Sequence, residues 1–270
     1  MVNRYSASQF GTFFTCPEAW RRRYIEGDKI PPGIAAVSGS GFHAAPEEDF
    51  KSVIAGNGHL TVDDCKDAAA TEYSKRLSKD GVYLTREEST RKSILLTEGR
   101  DNAVRAAEKF RLDVAEKFEP TLVEHEFTID IPGISKPVLG YIDVFTEDRK
   151  LADWKLSKAW SQDKSDSSDQ VTVYNEAIRQ LNGEAPAAIA FEVFKPLKKE
   201  VKHGEFFTVR DSSDIASLVH RVQIMERMIK RGDYPACTPG HWKCSPKWCG
   251  YYGSCKLVSD RLKRLPNMGK

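Results

Sequence analysis

The sequence lacks any long hydrophobic run. Its first residues, MVNRYSASQFGTFF, contain no apolar stretch of signal-peptide length, and no later segment approaches the ~20 apolar residues of a membrane span. It also lacks an internal repeat. These absences predict a cytoplasmic protein with no membrane segment. The 270 residues are 40% hydrophobic and 30% charged, which is ordinary for a globular protein with one large domain or two small ones.

The chain also has little net charge, but that charge is unevenly distributed. The total is only +2, yet residues 195–270 contain 16 Lys and Arg against 7 Asp and Glu, a local charge of +9. The remainder has 25 against 32, a local charge of −7. This asymmetry suits a protein that binds a polyanion and also collects cations, although a solvated basic surface would have the same composition.

Hydrophobic periodicity predicts a helical beginning followed by a sheet. Ser6 is a candidate N-cap of a short helix, and Pro17 can start a second one. A helix is expected from about Ala35, with Pro46 in its first turn or at a kink, and two more over residues 61–79 and 86–118. Alternating or apolar segments then predict five strands: TLVEHEFTIDI, PVLGYIDVF, KLADWKLS, AAIAFEVFKP and GEFFTVR.

The segments between these strands predict the architecture. Short turns join the first three strands, which favours antiparallel pairing. SQDKSDSSD is expected to be a polar loop, whereas QVTVYNEAIRQL and DSSDIASLVHRVQIMERMIKRG are expected to be helices. The prediction is an α/β fold, with one mixed sheet flanked by helices. We assign residues 1–270 to a single domain, with a helical part (1–118), a core (119–232) and a Cys-rich tail (233–270).

Two acids and a lysine stand out on the second and third strands. Nine residues separate Asp143 from Asp153, so a hairpin can bring both carboxylates to one edge of a shared face. Two close carboxylates repel unless a cation or a proton lies between them, and Mg²⁺ prefers such hard oxygen ligands. Lys155 points the same way as Asp153 and can hold or deprotonate a water or neutralise developing charge. The alternative is that all three are surface charges.

These residues carry a resemblance to a known family. GYIDVFTEDRKLADWKLSK resembles motifs II and III of the PD-(D/E)xK nuclease superfamily. VSGSGFH resembles its Gly-x-x-x-His motif, and QVTVY its Gln-x-x-x-Tyr motif. The set, spanning Ser6 to Cys255, is similar to the RecB-like branch, which includes the CRISPR-associated RecB-like exonucleases, and it implies a restriction-endonuclease-like core.

The resemblance also implies roles for individual residues. A metal ion would be held by His43, Asp143, Asp153 and the Trp154 carbonyl, and Asp143, Asp153 and Lys155 would be catalytic. Gln170 and Tyr174 would contact DNA. Leu156 departs from the family, where many relatives have Thr. The first strand has two acids, Glu124 and Glu126, and the sequence does not decide which of them, if either, lies near the metal.

Four of the six cysteines fall within residues 237–255, and such a cluster in a reducing compartment more often binds a metal than forms disulfides. Spacing alone does not choose between zinc and iron–sulfur. The resemblance implies a [4Fe–4S] cluster held by Cys16, Cys244, Cys249 and Cys255, with Cys237 as a competing fourth ligand. Cys65 is expected to be an ordinary thiol.

Aromatic and basic side chains alternate in the same tail. His241, Trp242, Trp248, Tyr251 and Tyr252 lie among Lys243 and Lys247. Such residues can stack on bases and contact phosphates. They can equally shield a metal cluster from solvent, and the sequence leaves both alternatives open.

Taken together, the resemblance implies a Mg²⁺- or Mn²⁺-dependent DNA exonuclease. Its substrate would be single-stranded DNA or DNA ends in recombination or repair, including phage recombination, and its partners could include recombination or CRISPR-adaptation proteins. The alternative is a non-catalytic DNA-binding or assembly module that keeps the fold. Such a module has no need of Asp143, Asp153 and Lys155 together, so the complete set favours the enzyme.

Overall fold

A computed structural model describes residues 2–238 and 240–258. It divides into two compact units. The sheet unit comprises Pro31–Phe127 and Gly140–Ser212, and the terminal unit comprises the described residues of Met1–Ile30, Thr128–Leu139 and Ser213–Lys270. The last twelve residues of the predicted tail, 259–270, lie outside the described residues. The assignment of the whole chain to a single domain stays a prediction.

The order of elements follows the predicted one, helices first and the sheet after them. The helices are α1 (Ala7–Thr15), α2 (Pro17–Tyr24), α3 (Ile34–Ile54), α4 (Val62–Asp80), α5 (Arg86–Ser89), α6 (Lys92–Asp113), α7 (Gln162–Asp166), α8 (Asp169–Asn182) and α9 (Ser212–Arg231). A 3-10 turn covers Ala115–Lys117. The strands are β1 (Pro120–Ile129), β2 (Val138–Thr146), β3 (Lys150–Leu156), β4 (Ala188–Pro196) and β5 (Val201–Thr208).

Local chemistry sets the first two helices as predicted. The Ser6 side chain accepts a hydrogen bond from the Gln9 amide and caps α1. Cys16 has an extended backbone that ends α1, and Pro17 is the first residue of α2.

Two predicted segments are wrong in detail. The single helix expected over residues 86–118 is interrupted, because a capping box between Thr85 and Glu88 starts the short α5 and Arg91 leaves the helical region. The expected polar loop contains α7, where the Trp160 indole donates a hydrogen bond to Ser165 Oγ at 2.9 Å. Both departures depend on side-chain contacts that periodicity does not report.

The sheet is mixed, as predicted. Its strand order is β1-β2-β3-β4-β5. β2 and β3 pair antiparallel, β3 and β4 pair parallel, and β4 and β5 pair antiparallel. The parallel pair requires a crossover, and α7 and α8 supply it. The described architecture is α/β, a mixed five-stranded sheet flanked by helices, with a Cys-rich C-terminal region.

An aromatic core fixes one face of β3. The Trp154 ring lies 5.4 Å from that of Phe110 and 5.2 Å from that of Phe118, centroid to centroid, and is almost fully buried. Burying an aromatic ring of this kind contributes about 1.5–3 kcal/mol. Because side chains alternate along a strand, Asp153 and Lys155 must point to the opposite face from Trp154.

Helix α3 approaches this core closely because of a glycine. A Cβ atom added at Gly41 would lie 3.0 Å from the Ala69 carbonyl oxygen and 3.0 Å from Tyr73 Cβ, both on α4. Only a glycine therefore fits between the helices without a shift. The close packing of α3 on α4 and the sheet places His43, two residues later, at the end of the paired part of β2 and β3.

Candidate active site

The two predicted carboxylates lie where β2 and β3 separate. The strands pair at Val144 with Ala152 and at Phe145 with Leu151. The next residues in this register are Asp143 and Asp153, and both are buried. In place of a ladder hydrogen bond, the Trp154 amide donates to Asp143 Oδ2 at 2.8 Å. The hairpin thus brings the two acids to one end of a shared face.

Three side chains from different elements converge beside this end. One ligand atom from each of His43 on α3, Glu124 on β1 and Asp143 on β2 lies within 4.8 Å of the other two. His43 Nδ1 lies 3.6 Å from Asp143 Oδ2 and 3.8 Å from Glu124 Oε1. A His/Glu/Asp group of this kind can bind a divalent metal ion.

The sequence did not distinguish Glu124 from Glu126 as a residue near the metal site. Glu124 and Glu126 have the same strand parity, so alternation assigns both to one face. The structure separates them, because Glu126 is exposed and accepts a hydrogen bond from the Tyr141 hydroxyl, whereas Glu124 joins the His43 group. Glu124 has a positive φ of 43°, a conformation that costs a non-glycine residue roughly 1–2 kcal/mol. Sequence periodicity gives no signal of this backbone change.

Asp153 is fully buried, and its charge is incompletely compensated. Its Oδ2 pairs with the Lys155 ammonium, which also donates a hydrogen bond that lowers the Asp153 pKa, whereas Oδ1 has no hydrogen-bond partner among the described residues. Burial, and then the neighbouring charge of Asp143, raise the pKa of Asp153 to about 6. Burial also raises the pKa of Asp143. A divalent cation beside Asp143 and Asp153 would neutralise both carboxylates and would take the unpartnered Asp153 oxygen as a ligand.

His43 also approaches the main chain of β3. Its Nε2 lies 2.8 Å from the Trp154 carbonyl oxygen, to which it can donate. The ring therefore turns Nδ1 toward Asp143 and Glu124, and the contact of Nε2 with the carbonyl fixes the ring orientation. Burial lowers the pKa of His43, but Asp143 and Glu124 outweigh it and raise the pKa overall.

A chain of hydrogen bonds links Lys155 to α8. Lys155 Nζ donates to Gln170 Oε1 at 3.2 Å, and Gln170 Nε2 donates to the Tyr174 hydroxyl at 2.8 Å. Gln170 and Tyr174 lie one helical turn apart, which places them on the same face of α8. The Tyr174 side chain is only 7% exposed, so its hydroxyl is well placed to orient the Gln170 side chain. Their predicted contact with DNA stays a prediction.

A glycine on β2 makes room for this arrangement. A Cβ atom added at Gly140 would lie 2.3 Å from Phe127 Cζ, an impossible contact. The Phe127 ring instead lies over the strand and packs edge-on against Tyr174 with 5.6 Å between ring centroids. Because Gly140 has no side chain, Phe127 can pack against Tyr174. The Tyr174 hydroxyl in turn holds Gln170 beside Lys155.

Leu156, which stands where many relatives have Thr, does not face the site. Its side chain packs against the aromatic core that contains Trp154 and Phe194. This follows from strand alternation, because Lys155 occupies the opposite face. The departure therefore changes the core side of β3.

Five cysteines of the terminal unit converge at a second location. We call Cys16, Cys237, Cys244, Cys249 and Cys255 the cysteine cluster. The Cys237 amide donates a hydrogen bond to Cys16 Sγ at 3.3 Å. Burial raises the pKa of Cys244, and the nearby Cys237, Cys16 and Cys255 raise it further. None of the five forms a disulfide. Cys65 is buried in α4 and belongs to the sheet unit.

The two termini of the terminal unit are held together around this cluster. The Tyr251 hydroxyl donates to the Asp28 carbonyl, and the Arg22 guanidinium lies 4.6 Å from the centre of the Tyr251 ring. Arg22 also pairs with Asp28 at 3.0 Å. The segment that carries Cys16 is therefore tied to the segment that carries Cys249 and Cys255.

Comparisons with known proteins agree with this fold. The family model of the PD-(D/E)XK nuclease superfamily matches residues 4–256, and the chain belongs to that superfamily. No curated protein matches the chain. The crystal structure of a "putative exonuclease" from Eubacterium rectale is similar, with 14% identity, a TM-score of 0.56 and coverage of 95% of this chain and 90% of that one. The crystal structure of SSO0001 aligns at a TM-score of 0.35 and 14% identity, over 80% of this chain and 96% of that one.

These matches support some of the predictions and leave others as proposals. The superfamily and the restriction-endonuclease-like fold are confirmed. Nucleases of this superfamily use divalent metals, and the His43, Glu124 and Asp143 group can bind one. No helix of the described residues is long and apolar enough to cross a membrane.

Proposed function

We propose that the chain is a Mg²⁺- or Mn²⁺-dependent deoxyribonuclease that acts as an exonuclease on single-stranded DNA or on DNA ends in recombination or repair. The observation that carries the proposal is the meeting of His43, Glu124 and Asp143 beside the buried Asp153 carboxylate, whose Oδ1 has no hydrogen-bond partner among the described residues. Membership of the nuclease superfamily supports the reaction class.

The proposal assigns the ion to His43, Glu124, Asp143, Asp153 and the Trp154 carbonyl. A bound divalent ion would supply positive charge to the scissile phosphate and acidify water. Lys155 extends its ammonium group from the Asp153 carboxylate toward Gln170. It therefore presents a cation beside the metal ligands, where it can orient the attacking water or neutralise charge on the phosphate.

A matched pair of glutamates on β1 tests the metal ligands. Glu124→Gln removes a proposed ligand, whereas Glu126→Gln changes an exposed acid two residues away. Wild-type protein and Glu126→Gln should degrade end-labelled single-stranded DNA when Mg²⁺ or Mn²⁺ is added, and Glu124→Gln should be strongly impaired. Circular single-stranded DNA in the same assay separates exonuclease from endonuclease action. Wild type that is inert with both metals would refute the proposal.

The alternative function, a non-catalytic DNA-binding module, predicts a different result. Such a module would bind DNA without cleavage, and Asp153→Asn would leave both properties unchanged. The fully buried Asp153 with its unpartnered Oδ1 favours the enzyme, since a binding module gains nothing from that cost.

We also propose that the cysteine cluster holds a [4Fe–4S] cluster through Cys16, Cys244, Cys249 and Cys255. Four thiolates are what such a cluster requires. A Cys₄ zinc site also uses clustered thiolates, so zinc is the alternative metal. Cys237, whose amide contacts Cys16 Sγ, is the competing ligand.

Anaerobic purification tests this second proposal. The protein should be brown, with broad absorption near ~400 nm and about four irons and four sulfides per chain. Cys244→Ser should lose the colour, and Cys65→Ser, at a buried thiol on α4, is the matched control that should keep it. Stoichiometric zinc in colourless wild-type protein would overturn the iron–sulfur assignment.

A further inference from the structure

Two of the five tryptophans are exposed, in contrast to those of the core. Trp242 and Trp248 are each 58% exposed, whereas Trp20 and Trp154 are 1% exposed. Both exposed rings lie in the segment that carries the cysteine cluster. Their exposure favours contact with a ligand for these two rings, although Tyr251 of the same segment is buried.

The segment around these rings is ordered by its own hydrogen bonds. The Cys244 amide donates to the His241 carbonyl at 2.8 Å, and Ser245 Oγ donates to the Trp242 carbonyl at 2.9 Å. The Trp248 amide donates to the Ser245 carbonyl at 3.1 Å. Successive turns therefore hold the two indoles in place, and a ligand meets a preformed surface.

The two indoles form a pair with cations beside them. Their centroids lie 5.5 Å apart and their planes are nearly perpendicular, at 86°. Lys243 Nζ lies 5.3 Å from the Trp242 ring centre, and Lys247 Nζ lies 5.3 Å from the Trp248 ring centre. His241 stacks on Trp242 at 5.8 Å. We call His241, Trp242, Lys243, Lys247 and Trp248 the tryptophan patch, and all five are exposed.

The charge around the patch is of one sign. From residue 234 to residue 259 the sequence contains no Asp or Glu, but it contains Lys243, Lys247 and Lys256. This stretch therefore adds positive charge and no carboxylate of its own, which favours an anionic ligand. The ligand must also offer flat faces to the indoles.

We propose that the tryptophan patch binds single-stranded nucleic acid by stacking unpaired bases on Trp242 and Trp248 while Lys243 and Lys247 contact the phosphates. A single strand offers free base faces next to phosphates, whereas a duplex stacks its bases internally. The choice of nucleic acid over other anionic aromatic ligands rests on the proposed nuclease function. The binding itself needs neither cleavage nor the divalent ion.

The test measures binding without cleavage. Asp153→Asn protein in EDTA is titrated into a labelled 12-nucleotide oligo(dT), and anisotropy gives the dissociation constant. Adding Trp248→Ala or Trp242→Ala should weaken binding by about 5- to 150-fold, the range expected for one lost stacking contact. Trp248→Phe should recover part of the loss. Leu257→Ala, at another exposed apolar side chain of the segment, is the matched control.

The charge contribution has its own readout. Replacing Lys243 and Lys247 together by Gln should reduce the slope of log affinity against log salt by about 1.4, since each phosphate contact on a single strand contributes about 0.7. A duplex of the same length should be affected much less by the tryptophan variants. Circular dichroism and the iron content of each variant establish that the fold is retained.

Three results would overturn the proposal. Tryptophan variants could bind oligo(dT) as tightly as their parent, or the duplex could lose as much affinity as the single strand. The tryptophan variants could also change only the self-association of the protein in gel filtration, which would show that the patch binds protein and not nucleic acid. The two proposals remain separable. If the wild type never cleaves DNA, the proposed nuclease function is refuted. If Trp248→Ala still weakens oligo(dT) binding in that case, the proposed single-strand binding by the tryptophan patch is retained.

Discussion

Two buried acids on neighbouring strands of the sheet are compensated very differently. Glu192 on β4 lies opposite Trp154 on β3 in the parallel register, one position from Asp153. Lys150 Nζ lies 2.7 Å from one Glu192 oxygen, and His203 Nε2 lies 2.6 Å from the other. Asp153 has one partner, the Lys155 ammonium at Oδ2, and its Oδ1 has no hydrogen-bond partner among the described residues.

The two acids show opposite pKa shifts as a result. Burial alone would raise the pKa of Glu192, but hydrogen bonds from His203 and Lys150 lower it. For Asp153, burial and the charge of Asp143 act together and raise the pKa. The comparison teaches that a buried charge within a complete network serves the fold, whereas one left incomplete beside other possible ligands is placed to share a cation.

The largest expected effect is on cleavage. Asp153→Asn should lower the rate at saturating Mg²⁺ by at least about 1,000-fold, because one carboxylate ligand is lost from the ion that stabilises charge in the transition state. Glu192→Gln should leave the rate within a few-fold of wild type, since Glu192 lies on the opposite face. Equal losses in both variants would contradict this separation of roles.

Next in size is the effect on stability. Glu192→Ala leaves Lys150 and His203 without their shared acid and should reduce the free energy of unfolding by about 3–5 kcal/mol. Urea denaturation of the metal-free protein measures it. Asp153→Ala, the counterpart on the other face, should cost far less in the same assay. A Glu192→Ala protein as stable as wild type would show that the network is dispensable.

The free energy of unfolding of the metal-free protein should depend on pH through both acids. The effect is smaller, and it has opposite signs for Asp153 and Glu192. Asp153 has a folded pKa of about 6, above its unfolded value of 3.8. Folding therefore favours its protonated form, and wild type should lose on the order of 2–3 kcal/mol relative to Asp153→Asn as the pH rises from about 4 to about 6. The lowered pKa of Glu192 gives stability that is present above its unfolded pKa and is lost on acidification.

This experiment compares unfolding of wild type and Asp153→Asn at several pH values in EDTA. The difference between them should reach its plateau above pH 6 and should be reversed by adding Mn²⁺, which stabilises only the protein that can bind it. A difference that does not change with pH would mean that Asp153 is solvated.

The sequence predicts most of the site because its spacings are local. Asp143, Asp153 and Lys155 follow from a short hairpin and strand alternation, and His43 and Gln170 follow from the motifs around them. Glu124 does not follow, since only its positive φ distinguishes it from Glu126. The break between α5 and α6 is equally hidden, because a capping box at Thr85 overrides an uninterrupted helical pattern. Such features depend on backbone geometry and tertiary contacts.

The smallest expected effect concerns the support behind Lys155. Gly140→Ala would drive a methyl group into Phe127 and should cost about 1–3 kcal/mol of stability, with a partial loss of cleavage as Tyr174 and Gln170 shift. Gly204→Ala on β5 is the matched control, because its Cβ would meet Phe206 at an ordinary 3.5 Å. Thermal unfolding measures the loss of stability, and steady-state kinetics measure the loss of cleavage. Equal stability and equal cleavage rates for Gly140→Ala and Gly204→Ala would exclude the role given to Gly140.

The central claim is that a divalent ion completes the charge at Asp153. Isothermal titration of Mn²⁺ into wild type, Glu124→Gln and Glu126→Gln tests it most directly. Wild type and Glu126→Gln should bind with the same affinity, and Glu124→Gln should bind at least about tenfold more weakly, a loss of about 1.4 kcal/mol. Equal binding by all three proteins, or no binding by wild type, would contradict the account.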